Sequence, residues 1–153
     1  MSDSTTAVIT AIRTRLLNFA PTTGTKLSTS LGTRLYRNTA PTVVTYPYGV
    51  LRLQPMAGND DSGLEKRASL ELALFHRPTG NTSALTGIAD VAEQALWQWL
   101  RIEDASGPFI KFYGRAHAVP VPYSGEAVDT DLVHYVLTFP LWYRPAYLHQ
   151  YAT

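Results

Sequence analysis

The sequence predicts an α+β fold: a mostly antiparallel sheet with two helices packed on one face. Three observations predict it. Two stretches carry apolar residues at helical spacing, and several others alternate apolar and polar residues with period two. The segments also follow the order helix, strand, strand, helix, strand, strand. No repeat or linker interrupts that order, so residues 1–153 read as a single domain. A chain of 153 residues is long enough to bury a real core.

Residues 4–19 place Val8, Ile9, Ile12, Leu16 and Phe19 on one helical face, with Arg13 and Arg15 expected to turn away. Asp3 or Ser4 suits the N-cap, and Pro21 stops the pattern. Thr22 to Ser30 reads as a loop or frayed end. Pro41 and Pro47 bias Ala40 and Tyr46 toward extended backbone, which prepares entry into a sheet. A strand follows at 48–54 and a longer one at 64–76. In the longer one Leu64, Ala68, Leu70, Leu72 and Leu74 share a face, while Glu65, Arg67, Ser69 and Glu71 take the other. The first face is expected to pack on a helix and the second to meet water or a neighbouring subunit. Between the two strands, Pro55 to Gly63 is long for a hairpin and rich in turn formers.

Pro78 closes the long strand, and Asn81, Thr82 or Ser83 can cap a second helix running to about Arg101. Its buried stripe is Leu85, Ile88, Ala92, Leu96 and Trp99, with Asp90, Glu93, Gln94, Trp97 and Arg101 elsewhere. Ser106-Gly-Pro108 turns the chain into a strand from Phe109 to Val119, and Pro120 to Gly125 forms a loop. Asp131 to Trp142 is apolar on both faces for much of its length, as a central strand would be. Arg144 to Thr153 reads as a C-terminal arm whose Tyr147, Leu148 and Tyr151 favour docking on this domain or on a partner.

Composition narrows the function classes. Charged residues make up 16% of the chain, low against a typical quarter, which suits a subunit buried against neighbours. The net charge is +1 with basic and acidic residues interspersed, so no basic stripe for tight nucleic-acid binding is present. Cysteine is absent, which excludes disulfides, thiolate metal sites and cysteine nucleophiles. The first residues lack a signal-peptide pattern, and no apolar run approaches the ~20 residues of a membrane helix. The expectation is a soluble chain made in a reducing cytosol, for which Asn81-Thr-Ser83 is a chance glycosylation match.

Sites for chemistry are weak. His76, His117, His134 and His149 have no metal-ligand spacing, although the last hairpin could place His117 and His134 opposite one another, a cross-strand pairing expected to be structural. Asn59-Asp-Asp-Ser-Gly63 with Glu65 lacks the alternating ligands of a calcium loop and reads as a solvated turn. Glu126, Asp129 and Asp131 lack an apolar pocket to separate their acidities, so a solvated rim is expected. Gly24-Thr-Lys26 lacks the frame of a phosphate loop. No catalytic residue, cofactor or metal is therefore expected. Trp97 is the sharper residue: placed among Asp90, Glu93 and Arg101 it should be exposed in a lone subunit, for an interface or under a loop such as Pro120 to Gly125.

The segment Leu31 to Leu53 contains Gly32-Thr-Arg34-Leu35-Tyr36, then Ala40-Pro41, then Tyr46-Pro47-Tyr48-Gly-Val50-Leu51. This pattern, with the helix before it and the order of elements after it, resembles the tail-terminator and minor tail (tail-completion) proteins of long-tailed bacteriophages. The resemblance implies a ring, of six copies, at the head-proximal end of a tail tube. Such a ring stops tube polymerisation and joins the head-completion or stopper proteins, while double-stranded DNA passes through the bore without specific binding. It implies a place in the virion neck, synthesis in the bacterial host cytoplasm, and no membrane partner. Arg34, Tyr36, Pro41, Tyr46, Pro47 and Tyr48 match the signature positions and are expected to shape the sheet entry and one edge of the subunit contact. By the same resemblance the 55–63 loop, with Asn59, Asp60 and Asp61, projects toward tube or bore. Trp97, Tyr147 and Tyr151 complete the expected interface set. Two other readings stay open: a head-closure or adaptor protein of the same neck, and a small ligand-binding or hydrolytic domain using residues 126, 129 and 131 or the two histidines.

Overall fold

The computed structural model describes residues 4–55, 66–76, 83–102, 107–113, 117–122 and 133–144. Helix α1 spans Ser4–Asn18, α2 Leu27–Ser30 and α3 Ser83–Leu96. The strands are β1 Leu35–Arg37, β2 Tyr48–Pro55, β3 Lys66–His76, β4 Leu100–Arg101, β5 Phe109–Phe112, β6 His117–Pro122 and β7 Val133–Arg144. They form a mixed sheet in the order β1-β2-β3-β7-β5-β4, with β6 also paired to β7. Only β1 with β2 is parallel among these pairs. The expected α+β class holds.

Strict alternation along β3 sets the two sides of the sheet. Ala68, Leu70, Leu72 and Leu74 are buried under the helices, and their cross-strand partners Leu53, Leu51 and Gly49 on β2 and Leu141, Phe139, Leu137 and Tyr135 on β7 share that side. Val8, Ile9, Ile12 and Leu16 of α1 meet them together with Leu85, Ile88, Ala92 and Leu96 of α3, in one apolar cluster. Gly49 is glycine because the helix-covered face closes tightly there: a Cβ would lie 2.9 Å from Leu35 Cδ1 and 3.2 Å from Leu74 Cδ2.

Four details depart from the sequence reading. The arginines of α1 are half-buried struts, not solvated. Arg13 donates from Nε to Leu35 O at 2.6 Å and from Nη2 to Thr33 O at 3.0 Å. Arg15 donates from Nε to Ala95 O at 2.8 Å, a carbonyl in the last turn of α3, where helix carbonyls lack internal partners and a cation is favoured. Its guanidinium lies 4.8 Å from the Phe19 ring centroid and 5.6 Å from that of Trp99, and burial lowers its pKa from the ordinary arginine value.

The second departure is the end of α3. The helix stops at Leu96 instead of reaching Arg101, because Gln98 takes a left-handed φ of 52° and the chain turns directly into β4. Third, the segment expected as one strand from Phe109 is two strands, β5 and β6, which share a single edge of β7. Pro140 on β7 sits where one ends and the other begins. Its carbonyl accepts from Tyr113 N at 3.3 Å, so the donor it lacks would face the same junction, and a proline fits within a central strand. Fourth, β1 was not anticipated: its three residues pair with β2 after the 38–47 connection doubles back.

Candidate functional site

The signature segment builds a clamp at the β1 end of the sheet. Arg34 is half-buried; its Nε donates to Pro47 O at 3.0 Å, and its carbonyl accepts from Gly49 N at 2.9 Å. Arg52 on β2 reaches back from Nε to Asn38 O at 3.0 Å. Both ends of the 38–47 connection are thus tied to the sheet, and Tyr46–Pro47 is a cis peptide. Register then gathers the tyrosines. Tyr36 on β1 lies opposite Val50, and Tyr48 on β2 lies opposite Phe75, which puts all three rings on the side away from the helices. Tyr48 stacks on Phe75 at 4.9 Å and 16°, with Tyr46 at 5.5 Å and Tyr36 at 6.1 Å from it. Each ring is half-buried, and Val43 within the same connection is 86% exposed.

Trp97 stands at the opposite end. It lies in the turn after α3 and not on the helix, its backbone N donating to Glu93 O at 2.8 Å, and it is 53% exposed. A groove of about 760 Å³ opens beside it, lined by Phe19, Asp90, Glu93, Phe112, Phe139 and Trp97, among others. Leu100 on β4 and Ile102 just beyond are exposed as well, at 51% and 72%. Sequence reasoning missed Val43, Leu100 and Ile102. Their exposure follows from the short edge strand and the connection, neither of which leaves a hydrophobic period to read.

Of the remaining expected site residues, Asn59, Asp60, Asp61, Tyr147 and Tyr151 lie outside the described residues, as do Glu126, Asp129, Asp131 and His149. The two strand histidines are not opposite one another. His117 pairs with Thr138 and His134 with Val121, an offset of four residues, or roughly 13 Å of strand. Among the described residues, no group of three or more His, Cys, Asp or Glu could hold a metal ion. No described helix is long and apolar enough to cross a membrane.

What the arrangement offers is contact surface: aromatic and aliphatic side chains held in place by arginine-to-carbonyl bonds at two separated ends of the sheet. No protein-family model matches the sequence, and no curated protein matches it. The fold is similar to that of one chain in the structure titled "Virion of native gene transfer agent (GTA) particle", with a TM-score of 0.62 and 17% identity over 94% of this chain and 99% of that one.

Proposed function

We propose that this chain is a structural subunit of a phage-like virion, forming a ring at the head-proximal end of the tail tube. The ring ends tube polymerisation and provides the joint to the head-completion proteins. The observation that carries this reading is the likeness of fold to a virion chain across nearly the whole of both chains. The tail-terminator signature at Leu31 to Leu53 points the same way, since its residues Arg34, Tyr36, Pro47 and Tyr48 cooperate in one clamp at a sheet edge. The partners are further copies of itself, the tail tube protein and a stopper protein, with DNA passing through the bore.

The mechanism needs no bond chemistry. Ring closure satisfies each copy of a head-to-tail contact, and docking one surface of the ring on the tube end excludes the next tube subunit sterically. Each contact should bury on the order of 1,000 Å² or more in total. Negative-stain electron microscopy of particles made with and without the chain tests the reading through tail length. Overlong, variable tubes are expected without it. Headless tails of unchanged length would instead assign it to head closure.

A further inference from the structure

We propose that the head-to-tail contact of this ring joins the two ends of the sheet. The corner formed by Trp97, Leu100 and Ile102 of one copy packs on the 38–47 connection, with Val43, of a second copy. The inference rests on the ring reading above and names the surfaces it requires.

Among the residues whose side-chain exposure is described, four large hydrophobic ones are exposed, and all four lie at these two ends. Trp97, Leu100 and Ile102 fall within six residues around β4, the last strand of the sheet order. Val43 lies in the connection between β1 and β2, at the first. The two patches differ. One is a corner beside a groove, and the other is a braced connection backed by a tyrosine cluster. An isologous contact would need one self-complementary patch, whereas pairing unlike ends head to tail covers both and repeats from copy to copy.

Charge favours the same pairing. Asp90 is exposed and Glu93 half-buried along the groove beside Trp97, while Arg37 and Arg52 are exposed on β1 and β2, Arg37 bonded to Thr10 Oγ1 and Arg52 to Asn38 O. Lys111 is an exposed cation at the β4 end, and Arg101 there is turned onto Pro108 O and Ile102 O. The strands at these two ends, β1 and β4, have three and two residues, too few for strand addition there to carry a stable contact, so at these ends side chains must. Both surfaces are preorganised. Arg34 and Arg52 hold the connection at Pro47 and Asn38, and the Trp97 backbone is bonded to Glu93.

The absence of cysteine makes the test clean. Val43→Cys, Leu100→Cys and Ile102→Cys chains are incorporated into particles singly and as mixtures, oxidised, and run on non-reducing gels. Mixtures of Val43→Cys with Leu100→Cys or Ile102→Cys are expected to give a covalent dimer, while no single variant does. A chain carrying cysteines at 43 and 102 is expected to give a ladder that ends at the ring size. Dimers from single variants would establish an isologous contact and overturn the proposal. No cross-link in mixtures whose particles keep normal tail length would also overturn it, while leaving the ring reading intact. The ring reading itself fails separately, if omitting the wild-type chain leaves tail length unchanged.

Discussion

Leu70, Leu72 and Leu74 alternate along β3 with Ser69, Glu71 and Ala73, and the two sets meet different surroundings. The leucines face α1 and α3 and are at most 1% exposed, joined by Leu51, Leu137 and Leu141 at the same level. On the other side, Tyr36, Tyr48 and Phe75 cluster at one end of the sheet. Toward the other end Arg67 lies 5.3 Å from the Trp142 ring and Arg144 lies 5.1 Å from that of Phe109. Aliphatic packing answers to volume alone, so the covered face is where the fold's stability resides. Rings and guanidinium groups keep a polar edge while presenting apolar area, a composition suited to surfaces that meet partners. Arg67 shows the tension: its Nε is buried with no hydrogen-bond partner, and Nη2 donates to Tyr113 Oη at only 3.4 Å.

The comparison breaks most readily on the covered side. Leu72→Ala should lower unfolding free energy by about 2–5 kcal/mol in urea titrations, because the surrounding leucines cannot collapse into the space. A loss under 1 kcal/mol would show that face to be loosely packed. Gly49→Ala tests the opposite error, since the new methyl would press on Leu35 and Leu74. Overpacking of that kind should cost about 1–3 kcal/mol, with a lowered melting temperature. On the aromatic side Phe75→Leu keeps an apolar residue but removes the stack on Tyr48. Its cost should be about 0.5–1.5 kcal/mol. Trp97→Ala sharpens the contrast furthest: the isolated chain should change by less than about 0.5 kcal/mol, as exposed positions do. Ring occupancy in particles, read by quantitative mass spectrometry, should nevertheless fall severalfold. Unchanged occupancy would remove Trp97 from the interface.

Sequence alone disclosed what periodicity encodes. The stripe of α1, the leucine face of β3 and the central place of β7 all follow from apolar spacing, and each is present. Trp97 was expected to be exposed and is, although on a turn and not on a helix. What escaped had no period to detect. A three-residue strand such as β1 holds one and a half alternations, and the stop of α3 depends on the backbone of Gln98, a residue with no strong breaking tendency. Arg13 and Arg15 read as solvent-facing because a helical wheel cannot see that Leu35 O and Ala95 O stand within reach. Arg34 was legible as part of a pattern, but its bond to Pro47 O needed the parallel pairing that brings β1 alongside β2.

β7 pairs with β3 on one edge and with β5 and β6 on the other, and it is the only described strand joining the two halves of the sheet. Its pairing with β3 spans 57 residues even at the nearest pair, from His76 to Val133. Synthesis at ~5–20 residues per second therefore leaves β3 without its neighbour for several seconds after it emerges. During that interval the first half of the chain presents an open strand edge on β3, while α1 and then α3 are already available to cover its leucine face. Completion of β7 is thus the event that turns a nascent, aggregation-prone hairpin into a subunit fit for release.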